Sequence, residues 1–316
     1  MTAIIVLNWN GADDTITCLE SLSKATGDFV VFVVDNGSTD DSLTRISQWV
    51  SQNCNEINAK IVPLDNNYGF AKGNNKGIEY ASAFKPSSYL LLNNDTEVCP
   101  DFLEHLLKFA DDNPEYKLLT PKINFFSDKG RVWNCGGKLF FGFRKYFYAG
   151  RPETEIKENK FIEISFVTGC ALFFTPGMLD CEGKIFTERF FFGEEDFELS
   201  LRMKKNSQRM ACVLDSQIYH KVGASIDRSL STPKIYLHYL NRSINVRLHF
   251  NALKYFVWLL LNVPLLLRAF YKSSKSLSLT LKLVRSVISD SYRKDGVTQE
   301  DFRNLLIEHK YFKFKL

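Results

Sequence analysis

The sequence has no C-x-x-C pair. Its seven cysteines lie scattered between Cys18 and Cys212, and their number is odd. This argues against a disulfide framework or a structural metal cluster, and for reduced, mostly buried thiols of a cytosolic protein. No G-x-G-x-x-G follows the first apolar run, where only Gly11 stands, and there is no Walker A loop. Both common phosphate-binding loops are therefore excluded. A signal peptide is not expected either, because Asn8 ends the run Ile4–Leu7 too early and no basic stretch precedes it. Net charge is only +4, from 40 basic and 36 acidic residues. That is too little to suggest a nucleic-acid partner on charge alone.

The 316 residues, 45% hydrophobic and 24% charged, exclude a disordered or fibrous chain. Their first third alternates strand and helix. Ala3–Leu7, Phe29–Val34, Ile61–Leu64 and Tyr89–Leu92 are apolar runs of strand length. Asp13 and Asp14 are read as caps of a helix with Ile16, Leu19 and Leu22 inward, and Asp40 and Asp41 as the start of a second. A third helix is predicted over 74–84. A βαβαβ order predicts a mostly parallel sheet whose ligands sit at the carboxyl ends of its strands. At those ends stand Asn8-Trp9-Asn10, Asp35-Asn36-Gly37-Ser38, Asn66-Asn67-Tyr68-Gly69 and Asn93-Asn94-Asp95. Turn chemistry explains any one of these; four in register at one sheet edge suggest a site.

Further along, glycines interrupt an aromatic stretch over 131–174, which reads as a hairpin or flap. A strand is expected over 162–167 and helices over 191–205 and 236–250. The apolar run Tyr255–Phe270 is read as about 16 residues, short of the ~20 that span a bilayer and kinked at Pro264.

Four motifs occur in order: V-V-D-N-G-S-T-D (Val33–Asp40), N-x-G-F-A-x-G-N-N (Asn67–Asn75), L-N-N-D-T-E-V (Leu92–Val98) and G-E-E-D-F-E-L-S-L-R (Gly193–Arg202). Over roughly Thr2 to Phe250 the chain resembles glycosyltransferase family 2, in particular its bacterial rhamnosyltransferase-like branch. The resemblance implies an α/β GT-A fold, Rossmann-like with flanking helices, and an inverting transfer. The donor would be a nucleotide-sugar, dTDP-rhamnose or a UDP-sugar. The acceptor would be a glycan or lipid-linked glycan of bacterial surface polysaccharide synthesis, O-antigen or capsule. It further implies a domain over 1–250, with a nucleotide-binding half to about residue 100 and an acceptor-binding half beyond, and a helical extension over 251–316.

The same resemblance assigns roles. Asn8, Asp35, Asn67, Gly69, Ala71, Gly73 and Asn94 would contact the nucleotide. Asp35 can accept hydrogen bonds from base or ribose, and glycines let a backbone approach a ligand closely. Asp95 is the one carboxylate of the family's D-x-D position. With phosphates and waters it suffices for Mg²⁺ or Mn²⁺, and His220 would ligate the metal or touch the diphosphate, or else be a structural histidine. Asp196 would be the general base, and Glu195 would orient the acceptor or a nearby base. Crowding of Glu194, Glu195, Asp196 and Glu198 should raise at least one carboxyl pKa. Thr168 and Gly169 would lie beneath donor sugar and acceptor, and Trp133 would form part of the acceptor wall. Arg242 receives no role, because Leu240-Asn241 stands where the family has an Arg-Asn pair.

From Lys254 to Leu316 there are 12 Lys/Arg and 5 Asp/Glu, so 12 − 5 = +7 of the net charge lies there. A basic, apolar segment of this kind fits peripheral contact with the inner face of the cytoplasmic membrane. Packing on the catalytic domain or on a second subunit, as a homodimer, explains it as well. The rival functions are a nucleotidyltransferase, which should show a Gly-rich loop after the first strand, and a non-catalytic nucleotide-sugar or glycan-binding relative.

Overall fold

Runs of Val, Ile, Leu and Phe without polar interruption form strands that are buried on both faces. In the computed structural model, which describes residues 1–221 and 232–306, β1 (Thr2–Asn8), β2 (Phe29–Asp35) and β3 (Ala59–Pro63) alternate with α1 (Ala12–Leu22) and α2 (Ser42–Gln52). They are followed by α3 (Gly69–Ser82), β4 (Ser88–Asn93), β5 (Thr96–Val98), α4 (Phe102–Asp112) and β6 (Tyr116–Phe125). Next come β7 (Val132–Asn134), the hairpin of β8 (Gly137–Phe140) and β9 (Phe143–Tyr146), β10 (Phe161–Ile164) and β11 (Ala171–Phe174). α5 (Glu195–Lys205), β12 (Arg209–His220), α6 (Thr232–His249), α7 (Ala252–Ser274), α8 (Leu277–Arg293) and α9 (Gln299–Leu306) complete the described chain.

Strands β10-β12-β6-β11-β4-β1-β2-β3 lie side by side in one sheet, with β5 on β12 and β7 on β6. β4-β1-β2-β3 and the β6–β12 pair run parallel, and β11 joins the two blocks antiparallel to both. Because side chains alternate across a strand, each strand feeds two cores. Ile5, Phe32, Val34 and Leu91 face α3 and α5 on one side; Ile4, Val6, Val33 and Leu92 face α1, α2 and α4 on the other. A Cβ on Gly77 would stand 2.6 Å from Ile5 Cγ2, so glycine sets how closely α3 lies on β1. The seven cysteines are all free, four of them buried.

Several boundaries differ from the sequence reading. Gly11, not an aspartate, occupies the cap of α1; Asp13 and Asp14 lie in its first turn, where their charge favours the helix dipole. α3 starts five residues before the expected 74, and α5 starts at Glu195 rather than Phe191. Strands β6 and β12 were not read as strands. Pro121 sits inside β6, and the pairing of β12 slips between Val213 and Gln217 around Asp215; both features break a period-2 pattern.

The largest correction concerns α7. It runs unbroken for 23 residues through Pro264. Proline removes one intrahelical hydrogen bond, and here buried Trp258 on one side and Leu266 and Phe270 on the other hold the helix to its neighbours. α6, α7 and α8 share a core of Leu240, Ile244, Leu266, Phe270, Leu283 and Val287, to which Phe190, ahead of α5, contributes. Trp258 packs with Leu139, Phe166 and Phe197. The 251–306 segment therefore packs on earlier parts of the chain. Residues 222–231, just after His220 and Lys221, and 307–316 of the basic tail lie outside the described residues.

Candidate active site

Parallel register brings the strand ends together. Asn8 pairs with Asp35 across β1 and β2, and Leu7 with Asn93 across β1 and β4. Asn8 Nδ2 donates to Asp35 Oδ1 (2.8 Å) and Ser38 Oγ (3.1 Å). Thr15 Oγ1 donates to Asn8 Oδ1 (2.9 Å) and accepts from Asn94 Nδ2 (3.0 Å). The Asp35 carboxylate also accepts from Ser38 Oγ (2.6 Å) and the Ser38 backbone N–H (3.1 Å). Three of its roughly four acceptor sites are thus occupied. One remains for a ligand donor, and its direction is fixed by the other three.

The 67–73 segment is built differently from the sequence expectation. Asn67 Oδ1 accepts from Gly69 N–H (2.9 Å) and Asn36 Nδ2 (3.0 Å). Gly69 has φ +79°, and a Cβ there would lie 1.9 Å from the Phe191 carbonyl oxygen. A Cβ on Gly73 would meet Leu7 and the Asn36 amide. Ala71 is fully buried. The close approach these glycines allow is therefore to protein. Phe70 N–H also donates to Phe191 O (3.1 Å), which ties this segment to the acidic turn.

At the end of β4, buried Asp95 faces buried His220 from the end of β12, with His220 Nε2 3.0 Å from Asp95 Oδ1. Neither Asp95 Oδ1 nor His220 Nδ1 completes a hydrogen bond. Adjacent ligands of an octahedral Mg²⁺ with bonds of about 2.1 Å stand about 3 Å apart, so this pair fits a cation that takes its other ligands from phosphates and water. No cluster of three or more His, Cys, Asp or Glu side chains suited to a metal occurs among the described residues. Trp133, read as acceptor wall, packs edge-on to His220 at 4.3 Å between ring centroids.

The acidic turn separates its carboxylates by environment. Glu194 adopts φ +69°, which is costly for a residue with a side chain. Arg242 holds it with two parallel bonds, Nε to Oε2 (2.9 Å) and Nη2 to Oε1 (3.0 Å). His238 Nδ1 lies 3.0 Å from it and Arg144 Nη2 3.4 Å. Burial works to raise the Glu194 pKa, but Arg242, then His238 and Arg144, outweigh it and hold the carboxyl well below the usual range. Asn241 Nδ2 donates to the Phe192 and Gly193 carbonyls (3.0 Å each), and Asn245 Nδ2 to the Glu194 carbonyl (3.0 Å). Glu198 is likewise lowered, against its burial, by His249 and Arg202.

The next two carboxyls go the other way. Burial, then the charge of Asp196, pushes Glu195 up to about 8, and Glu195 Oε2 has no hydrogen-bond partner. Burial also raises Asp196, opposed chiefly by Arg144. Asp196 Oδ2 accepts from Gly169 N–H at 3.4 Å, which sets the Thr168–Cys170 turn beside it. Sequence reasoning missed Arg144, His238 and Arg242. The signal was present on α6, where His238, Asn241, Arg242 and Asn245 recur at the spacing of one helix face.

The mixed, mostly parallel sheet with flanking helices, polar at its strand ends, is the GT-A fold of glycosyltransferases. The chain belongs to glycosyl transferase family 2, whose model matches residues 3–181. The hexosyltransferase Agl10 of low-salt glycan biosynthesis in Haloferax volcanii is 24% identical over 245 residues, 76% of this chain and 73% of that protein. The mannosyltransferase PcManGT from Pyrobaculum calidifontis, solved with GDP-Man and Mn²⁺, shares the fold at TM-score 0.58 and 14% identity, over 99% of this chain and 81% of that one. S. aureus TarS matches at TM-score 0.54 and 16% identity over 97% of this chain. This chain spans 45% of that TarS structure, and 81% of a shorter TarS form solved with UDP (TM-score 0.54, 17% identity, 98% of this chain).

Proposed function

We propose that this glycosyltransferase moves a hexose from a nucleoside-diphosphate sugar to a hydroxyl of a glycan or lipid-linked glycan, with inversion, by a single displacement. The observation that carries this is the split acidic turn. A carboxylate that must take a proton works best with a pKa moved toward neutrality, and Asp196 is raised while its neighbour Glu194 is clamped as an anion. Asp196 is the proposed base for the acceptor hydroxyl. Glu195, protonated at neutral pH, orients the acceptor as a hydrogen-bond donor. Asn8, Asp35 and Asn94 hold the nucleoside end. Thr168 and Gly169 floor the donor sugar. Residues 1–250 form the proposed catalytic domain, and residues 251–316 its extension.

Asp95 and His220 are the proposed holders of Mg²⁺ or Mn²⁺, which would neutralise the diphosphate and ease its departure. Relatives described with GDP-Man and Mn²⁺ and with UDP support a diphosphate donor, and the hexosyltransferase name of Agl10 supports a hexose. Rhamnose is the sugar suggested by the motif resemblance. The test is nucleotide release from UDP-, dTDP- and GDP-hexoses by wild type and Asp196→Asn. Loss of the base should lower the rate by about 10²–10⁴-fold while thermal shifts with the bare nucleotide stay unchanged. A variant within tenfold of wild type removes Asp196 from the role.

A further inference from the structure

α7 turns two different faces to its surroundings. Tyr255, Trp258, Leu266 and Phe270 are buried, Tyr255 stacks on Trp258 at 5.9 Å, and its hydroxyl meets Ser291 Oγ of α8 at 2.9 Å. The opposite face carries Leu253, Phe256, Val257, Leu260, Leu261 and Leu265. These recur at i, i+3, i+4, i+7, i+8 and i+12, and all are 40–73% exposed. Such a stripe is too long and continuous to be scattered surface leucine. Leu277 and Leu281 of α8 are also exposed.

Cations frame the stripe at both ends. At its start a cleft of about 360 Å³ is lined by Lys204, Lys205, His249 and Lys254, with Phe141 and Phe250. Lys204 Nζ donates to the Leu139 carbonyl (2.8 Å). Arg268, Lys272 and Lys275 follow at its far end, all exposed. The segment from Lys254 onward carries +7 in all (12 basic against 5 acidic).

We propose that the outer face of α7 docks on an anionic phospholipid bilayer, with the helix lying in the plane of the surface and phosphate headgroups entering the basic cleft. By length and composition alone, α7 with its 23 residues could cross a bilayer. Its inner face, however, is part of the protein core, so crossing would strip Trp258 and Phe270 from their packing. A second copy of the chain fits the face poorly, since antiparallel pairing about a two-fold axis would set Lys254 against Arg268 and Lys272. A bilayer meets both features: apolar burial to a shallow depth, and attraction of the flanking cations to anionic lipid. The inference does not depend on the transfer reaction.

The experiment is flotation of the full chain with phosphatidylcholine–phosphatidylglycerol vesicles and with phosphatidylcholine alone. Binding should be at least about tenfold tighter to the anionic vesicles and weaken with salt. Leu260→Glu/Leu261→Glu should lose it while keeping the wild-type melting temperature, because both positions are exposed. Quenching by brominated lipids of Phe256→Trp and of Leu265→Trp should report the same shallow depth. Different depths at the two positions would overturn the in-plane geometry. Equal binding to both vesicle types, no binding to either, or a wild-type dimer that the double variant turns into monomer would overturn the proposal.

Discussion

The strand-end edge and the acidic turn do similar jobs by opposite means. At the edge, the Asp35 carboxylate sits in a net of neutral side chains from Asn8, Ser38, Thr15 and Asn94. Each link is an ordinary hydrogen bond, worth about 1 kcal/mol net. In the turn, four carboxylates in five positions are sorted by cations. Glu194 and Glu198 are matched and ionised; Glu195 and Asp196 are pushed up. The edge fixes the shape of the proposed nucleotide site through neutral hydrogen bonds. The turn stores charge at high cost, and that cost is what moves a carboxyl toward neutrality.

The turn should therefore break harder than the edge. Arg242→Ala leaves Glu194 buried and short of its forked partner. A broken buried pair costs about 3–5 kcal/mol, and about 3 is expected here because Arg144 and His238 remain. Urea unfolding of Arg242→Ala and Arg242→Lys measures this, with lysine intermediate because it keeps the charge but not the fork.

Glu195 sharpens the same contrast through pH. Its folded pKa of about 8 lies above the unfolded value near 4.5. Between these values the folded state binds more protons than the unfolded one, so stability falls as pH rises from about 4.5 to about 8 and levels off above. The fall should amount to roughly 5–10 °C in Tm. Glu195→Gln should flatten the profile in that window. An unchanged slope would mean that Glu195 is ionised in the folded protein. At the edge the effect should be smallest: Asn8→Ala should cost about 1–2 kcal/mol, read by the same unfolding curves, and leave the pH profile untouched.

How much of this the sequence disclosed follows the same division. The edge was legible because each of its residues directly follows an apolar run, and parallel register does the rest. The helix over 102–112 is equally legible, with Phe102, Leu103, Leu106 and Phe109 on one stripe. The turn was legible only in part. Its acids are clustered, but the side chains that clamp Glu194 come from β9 and α6, about 50 residues away on either side. Nothing local links Arg144 or Arg242 to Glu194. Nor does local pattern tell which of four adjacent acids will be clamped and which displaced. α7 was misjudged for a related reason: Pro264 reads as a break, whereas tertiary packing on both sides of it carries the helix through.

The most direct test of the account is a thermal shift of wild type and Asp95→Ala with UDP, dTDP, GDP and CDP, each with and without Mn²⁺. A ligand at about 100 times its Kd stabilises by roughly 2.7 kcal/mol. The account predicts that one nucleotide shifts wild type, that Mn²⁺ enlarges the shift, and that Asp95→Ala loses the Mn²⁺ increment alone. The same increment in both proteins, or no shift with any nucleotide, would contradict it.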